Sequence, residues 1–264
     1  MAPLTLTILG AGPAAPNGGG ACSGYLVEDD GRAVLVDCGS GIAGRLVEHV
    51  PANRLGGVAI SHFHPDHYFD LVPLYYLIKF DESGPPGPDR RVPLYVPPGG
   101  RDFLNQFGEM IANKSAMLED IFQICEYAPR RDFGIGGLTF TFHPVQHYVL
   151  SHAMRICGSS GATLVFSSDV GPCPELVDAA RSADLFMCES ALVDPAQDER
   201  DPTMRGHMSA GEAGAAARKA GARRLMLTHY RSSEKWDAHH RAAAEAAFGG
   251  PVELAREGGR YTVG

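Results

Sequence analysis

Between Ser61 and His67 the chain reads Ser-His-Phe-His-Pro-Asp-His. Three imidazoles and one carboxylate, on His62, His64, His67 and Asp66, therefore fall within six residues. Imidazole nitrogen and carboxylate oxygen are ligand atoms that suit zinc and similar divalent ions. A single histidine in a loop is ordinarily a surface or core residue. Crowded imidazoles gain nothing from one another unless they share a cation, so this spacing points to metal binding.

Elements on either side must position that cluster. Residues 55–60 are apolar and read as a short buried strand, and from Tyr68 to Lys79 apolar residues recur at helical spacing. The cluster is expected on the strand-to-helix loop, where side chains converge above a sheet edge. Other ligand-type residues follow the same rule. Apolar stretches that read as strands run into Asp37, into His143 and His147, into Asp169, into Glu189 and into His229. His207 comes just before Ser209-Ala210-Gly211-Glu212, a capping-box pattern that opens an alanine-rich helix. From the residues alone, Asp37 and Asp169 fit plain turn or cap positions equally well, and only one of His143 and His147 is needed as a ligand.

The glycines at Gly10, Gly12 and Gly18 to Gly20 superficially match a dinucleotide loop. The next apolar segment, Tyr25-Leu26-Val27, reads as a strand and not as the helix such a loop requires, so that reading is excluded. Further strands are expected at 1–9, 32–36 and 92–96, and a closing strand pair at 251–263. Residues 83–88 read as a loop. Phe103, Leu104, Phe107, Met110 and Ile111 lie at helical spacing, on a helix that packs on the domain or serves as a lid or dimer contact. His239 and His240 fall on a polar, alanine-rich helix and are expected at the surface.

The 264 residues are 44% hydrophobic, enough for a substantial core, and are expected to form one domain over 1–264. Lys and Arg number 23 against 31 Asp and Glu, for a net charge of −8. Such a chain has no global attraction for nucleic acid or anionic membrane, so neither bulk nucleic-acid binding nor membrane association is expected. The one dense basic patch, Arg218, Lys219, Arg223 and Arg224, reads as a solvated helix end. Six scattered cysteines without a Cys-x-x-Cys pair, and an N-terminus that alternates like a strand, fit a reduced, cytoplasmic protein.

The segment from Ser61 to Asp70, with His147, Asp169, Glu189, His207 and His229 following in order, resembles the metallo-β-lactamase superfamily. The resemblance spans nearly the whole chain and is closest to the branch with ribonuclease Z and small bacterial cyclic-nucleotide phosphodiesterases. Periodicity alone yields only α/β or α+β. The resemblance implies an α+β fold, a four-layer αββα sandwich.

The resemblance also implies roles. His62, His64, His147 and Asp169 would bind one divalent ion, and Asp66, His67, Asp169 and His229 a second, with Asp169 bridging. Zinc is the expected ion, with manganese or iron as alternatives. Asp37 would orient a ligand histidine, His143 would be structural and His152 would lie near the mouth of the site. Asp66 would help orient or deprotonate water, and Glu189 with His207 would form an acid–histidine pair that protonates the leaving group. Two ions about 3.5–4 Å apart clamp the oxygens of a displacement reaction and activate water near neutral pH. The expected activity is a dinuclear phosphodiesterase acting on small phosphodiesters such as cyclic nucleotides. The alternatives are a ribonuclease Z-like RNA-processing endonuclease, a thioester or lactone hydrolase, or a non-catalytic metal-binding module. His147 and Asp169 are 22 positions apart. That leaves no room for the tRNA-gripping arm that the ribonuclease Z pattern carries there. A homodimer is compatible with all of these.

Overall fold

Period-two burial along the strands decides the layering. In β3 (Arg32–Val36), Val34 and Val36 face one core while Ala33 and Leu35 face another. The same alternation in β1 (Leu4–Gly10) sends Leu4, Leu6 and Ile8 to the first of these cores and Leu9 to the second. Strands buried on both faces belong to a sheet covered on both sides. The computed structural model, which describes residues 3–82, 91–197 and 204–264, contains two such sheets.

One sheet has the order β14-β1-β2-β3-β4-β5-β6 and the other β13-β12-β11-β10-β9-β8-β7. In the first, β2 is Gly24–Asp29, β4 Gly57–Ala59, β5 Val92–Val96, β6 Phe122–Glu126 and β14 Arg260–Val263. In the second, β7 is Asp132–Ile135, β8 Leu138–Val145, β9 Ser151–Cys157, β10 Thr163–Phe166, β11 Leu185–Glu189, β12 Leu225–Thr228 and β13 Val252–Leu254. Between the sheets lies a core that includes Tyr25, Val34, Val36, Phe140, Phe142, Met154, Phe166 and Met187. Helices α1 (Ile42–Leu46), α3 (Leu71–Lys79) and α4 (Gly100–Ala112) cover the outer face of the first sheet, and α5 (Pro174–Ala179), α6 (Ala210–Ala220) and α7 (Glu234–Phe248) cover the second. This is the expected αββα sandwich.

Several local expectations need correction. The stretch 251–263 does not form a strand pair. β13 extends the second sheet beside β12, whereas β14 crosses back to pair with β1 in the first, so the chain end ties the two sheets together. The helix expected from Tyr68 starts earlier and is broken. A four-residue helix α2 (Pro65–Tyr68) precedes α3, and at the break Asp70 accepts the backbone N–H of Ala43 at the start of α1. His240 is buried, not exposed: its Nδ1 bonds the Trp236 carbonyl oxygen, its Nε2 the Ser190 carbonyl oxygen, and its ring stacks on Tyr230. Arg223 and Arg224 pair with Asp184 and Glu253.

The six cysteines are unpaired. In α4, Leu104 and Phe107 are buried, Phe103 stacks on Phe63, and Met110 is left exposed. The proline-rich stretch at 83–88 lies outside the described residues. Among the described residues no helix is long and apolar enough to cross a membrane.

Candidate metal centre

After β4, His62 and His64 face the same cluster while Phe63 between them packs on Phe103 and the outer core, with His64 extended at φ −82 and ψ 145. Pro65 then opens α2, a position where its missing N–H costs nothing. Asp66 and His67 therefore sit on a helical turn rather than on the loop. The exit of β3 crosses this turn closely: a Cβ on Gly39 would lie 1.9 Å from the Asp66 carbonyl oxygen, so only glycine fits there.

The second sheet contributes its residues one strand at a time. His147 follows β8, Asp169 follows β10, Glu189 ends β11 and His229 follows β12. Three residues at strand exits, Asp37 (φ 56), Ser168 (φ 57) and His229 (φ 55), occupy the left-handed region. This conformation costs non-glycine residues roughly 1–3 kcal/mol and clusters at functional sites. Here it turns the chain sharply enough to deliver each side chain, or its neighbour, over the sheet edge.

The ligand-type atoms of His62, His64, His147 and Asp169 lie within 4.8 Å of one another, as do those of Asp66, His67, Asp169 and His229. Asp169 divides its oxygens between the two groups. Its Oδ2 is 3.7 Å from His62 Nε2 and 3.8 Å from His147 Nε2, while its Oδ1 is 3.2 Å from His67 Nε2 and 3.4 Å from His229 Nε2. His64 Nδ1 lies 3.1 Å from His147 Nε2, and His229 Nε2 lies 3.1 Å from Asp66 Oδ2.

Three of the histidines are steered from behind. His67 Nδ1 meets Asp37 Oδ2 at 2.7 Å, and His147 Nδ1 donates to the Gly206 carbonyl oxygen at 2.7 Å. His62 Nδ1 lies 3.0 Å from Ser61 Oγ and 3.3 Å from Ser168 Oγ. Asp37 also receives the Ser61 N–H and hydroxyl, so one carboxylate supports two ligand histidines at once. Holding one ring nitrogen fixes the tautomer and aims the other at a metal.

Buried atoms test the fit. His62 Nε2, His67 Nε2 and Asp169 Oδ1 are fully buried, face the centre and lack a well-directed hydrogen bond within the protein, the last two meeting each other at 3.2 Å. Such atoms cost roughly 1–3 kcal/mol each when left unpaired, and cations remove that cost. Charge agrees. Burial opposes ionisation of Asp66 and Asp169, yet the surrounding histidines hold both carboxyls well below the usual carboxylate range. Burial likewise opposes charge on His67, but Asp169 and Asp37 hold its pKa well above the ordinary histidine value. The pocket calls for positive charge at its centre, and divalent ions fit it.

His207 lies beside this centre with Glu189 and His229. Its Nδ1 bonds Glu189 Oε1 at 2.8 Å. Burial works against the imidazolium, but the Glu189 charge and hydrogen bond outweigh it and lift His207 to about 9. Glu189 is itself pinned by the backbone N–H groups of Val170 and Ala191, at 2.9 Å each.

All seven sequence-derived ligand candidates thus converge, as does the Glu189–His207 pair. His143 stays apart on β8. His152 is not at the mouth: β9 runs between β8 and β10, and His152 is buried on it with its Nδ1 3.2 Å from the Tyr127 hydroxyl. Sequence reasoning missed Ser168 and Gly206. The signal for Ser168 is a polar Ser-Ser pair interposed between an apolar strand and an aspartate. The signal for Gly206 is a glycine immediately before His207.

A family model described as a beta-lactamase superfamily domain matches residues 32–230. Probable metallo-hydrolase YhfI of Bacillus subtilis is 31% identical over 256 residues, covering 97% of this chain and 98% of YhfI. The crystal structure of YhfI superposes with a TM-score of 0.83 at 29% identity, over the full length of both chains. Ribonuclease Z of Myxococcus xanthus is 27% identical over 310 aligned positions, covering 98% of this chain and 97% of the ribonuclease. A diphosphatase of the PhnP family shares the fold at 19% identity, with a TM-score of 0.71 over 98% of this chain and 97% of that one. Fold, centre and relatives together define a metal-dependent hydrolase. The chain belongs to the metallo-β-lactamase superfamily.

Proposed function

We propose that this protein is a dinuclear phosphodiesterase acting on small phosphodiesters, with cyclic nucleotides as the leading substrates. The observation that carries the reading is the Glu189–His207 pair beside the two ligand clusters. An alkoxide leaving group needs a proton, which a positioned acid supplies in the transition state. A histidine held charged to about 9 by a buried glutamate suits that task at neutral pH.

In this reading His62, His64, His147 and Asp169 hold one ion, and Asp66, His67, Asp169 and His229 the other. Zinc is favoured by the nitrogen and carboxylate donors, ahead of manganese or iron. When bound, such ions polarise the phosphoryl oxygens and make water nucleophilic near neutral pH. The chain's own residues do the rest. Asp66, beside His229, orients the attacking water. Glu189 holds His207 protonated through Nδ1, which leaves Nε2 to give its proton to the departing oxygen.

The size preference rests on the connection between His147 and Asp169. β9 and β10 are joined by a tight turn closed by Gly158 N–H to the Ala162 carbonyl and Gly161 N–H to the Gly158 carbonyl. No arm projects there. The 310 aligned positions with ribonuclease Z exceed the 264 residues of this chain, so that relative carries residues this chain lacks. The net charge of −8 also favours small substrates over long RNA.

Steady-state kinetics of metal-reconstituted protein test the assignment, using cyclic nucleotides, a dinucleotide, precursor tRNA, a lactone and a thioester. The highest kcat/KM is expected for a cyclic nucleotide or dinucleotide. A higher value for precursor tRNA would replace the reading with a ribonuclease Z activity, and one for the lactone or thioester would remove phosphodiesters altogether.

A further inference from the structure

The connection from β8 to β9 carries His147 and then Tyr148, Val149 and Leu150, three large apolar residues in succession. They remain 43%, 40% and 53% exposed. Single apolar side chains are ordinary on a surface, but a contiguous group beside a site marks a place where something binds.

The Tyr148 ring is firmly seated. A Cβ on Gly206 would lie 2.6 Å from its Cε2 and Cζ and 2.8 Å from its Cε1. Such nearly equal distances place the Gly206 α-carbon against the face of the ring. The carbonyl oxygen of the same glycine accepts the His147 Nδ1 hydrogen bond. One residue without a side chain thus supports the tyrosine and orients a candidate ligand. The Tyr148 ring centroid is 5.0 Å from that of His147 and, nearly perpendicular, 5.6 Å from that of His207. A flat, partly exposed ring therefore stands beside both the metal centre and the proton donor.

We propose that Tyr148 is the stacking platform for the base of a nucleotide substrate, an inference that rests on the phosphodiesterase reading above. Every nucleobase has a π-face, so an aromatic side chain holds bases with little regard to their identity. Tyrosine offers that surface at low conformational cost, and the exposed Val149 and Leu150 follow it directly in the chain. The arrangement divides the substrate between two chemistries: the ion centre takes the phosphate, and the ring takes the base.

Calorimetric binding of adenosine monophosphate and of ribose phosphate to metal-reconstituted protein separates the two. Wild-type protein should bind the nucleotide roughly 5- to 150-fold more tightly, the range expected for one stacked base. Tyr148→Ala should erase that ratio and leave ribose phosphate affinity and metal content unchanged, while Tyr148→Phe should preserve it. Equal wild-type affinities, or a ratio that survives in Tyr148→Ala, overturn the platform. So does a matching loss of ribose phosphate binding in Tyr148→Ala, which would make the ring a support for Gly206 and His147 only. Binding is read without turnover. Protein that shows the ratio but hydrolyses no diester would refute the phosphodiesterase reading and keep the platform.

Discussion

The two sheets are built alike and furnish the site differently. Each has seven strands, and in each the pairing runs through three antiparallel contacts and then three parallel ones. The change falls at β3 in one sheet and at β10 in the other, and each of these strands exits to a left-handed residue, Asp37 or Ser168. Ligands in open sheets collect where the strand pattern changes. Yet the first sheet places four candidate ligands on one segment after β4, with Asp37 behind them. The second spreads its set over the exits of β8, β10, β11 and β12. A contiguous set needs one correct loop conformation. A dispersed set needs the whole sheet in register, and each member stands alone.

The sharpest way to break this comparison is at Asp169, where the halves meet. Asp169→Ala should abolish turnover and lower the occupancy of both ions together, because its two oxygens face different histidine groups. Elemental analysis of reconstituted protein reads this directly, with nearly two ions per chain expected for wild type and selective loss of one in His229→Ala. Near wild-type metal content and rate in Asp169→Ala would remove the bridge.

The next largest effect should come from His207, which belongs to the dispersed half and to neither ligand cluster. His207→Ala should lower kcat by roughly 100- to 10,000-fold while leaving metal content intact. The loss should shrink for a p-nitrophenolate leaving group, which needs no proton. An equal loss for good and poor leaving groups would assign His207 to positioning.

The smallest of the three concerns the contiguous half. Asp37→Asn removes the charge that orients His67 and holds Ser61 behind His62. Metal affinity should fall by roughly 10- to 100-fold, the usual range for a lost orienting partner. Competition with a chelator measures it. Unchanged affinity would mean that the loop after β4 holds its histidines without help, and that the two halves differ more than their common topology suggests.

The candidate ligands were legible because their chemistry is local. His62, His64, Asp66 and His67 declare themselves by spacing, and the capping box at Ser209 and Glu212 is fully formed. The separate members of the second half could be named only by resemblance, since a lone histidine after a strand carries no signal of its own. His152 and His240 were misjudged because burial is a property of neighbours in space. β9 is enclosed by β8 and β10, and α7 lays His240 against the Ser190 carbonyl.

Hydrophobic period determined most of the strands, the capping box determined the start of α6, and the ligand-type residues of 61–67 determined the type of chemistry at the centre, because each depends on residues adjacent in the chain. Only the tertiary structure decided that β13 and β14 part to different sheets, that Asp169 turns one oxygen to each histidine group, and that Gly206 seats Tyr148 beside His147. These are contacts between segments far apart in sequence. Their register is selected by packing between the two sheets, which no local pattern encodes.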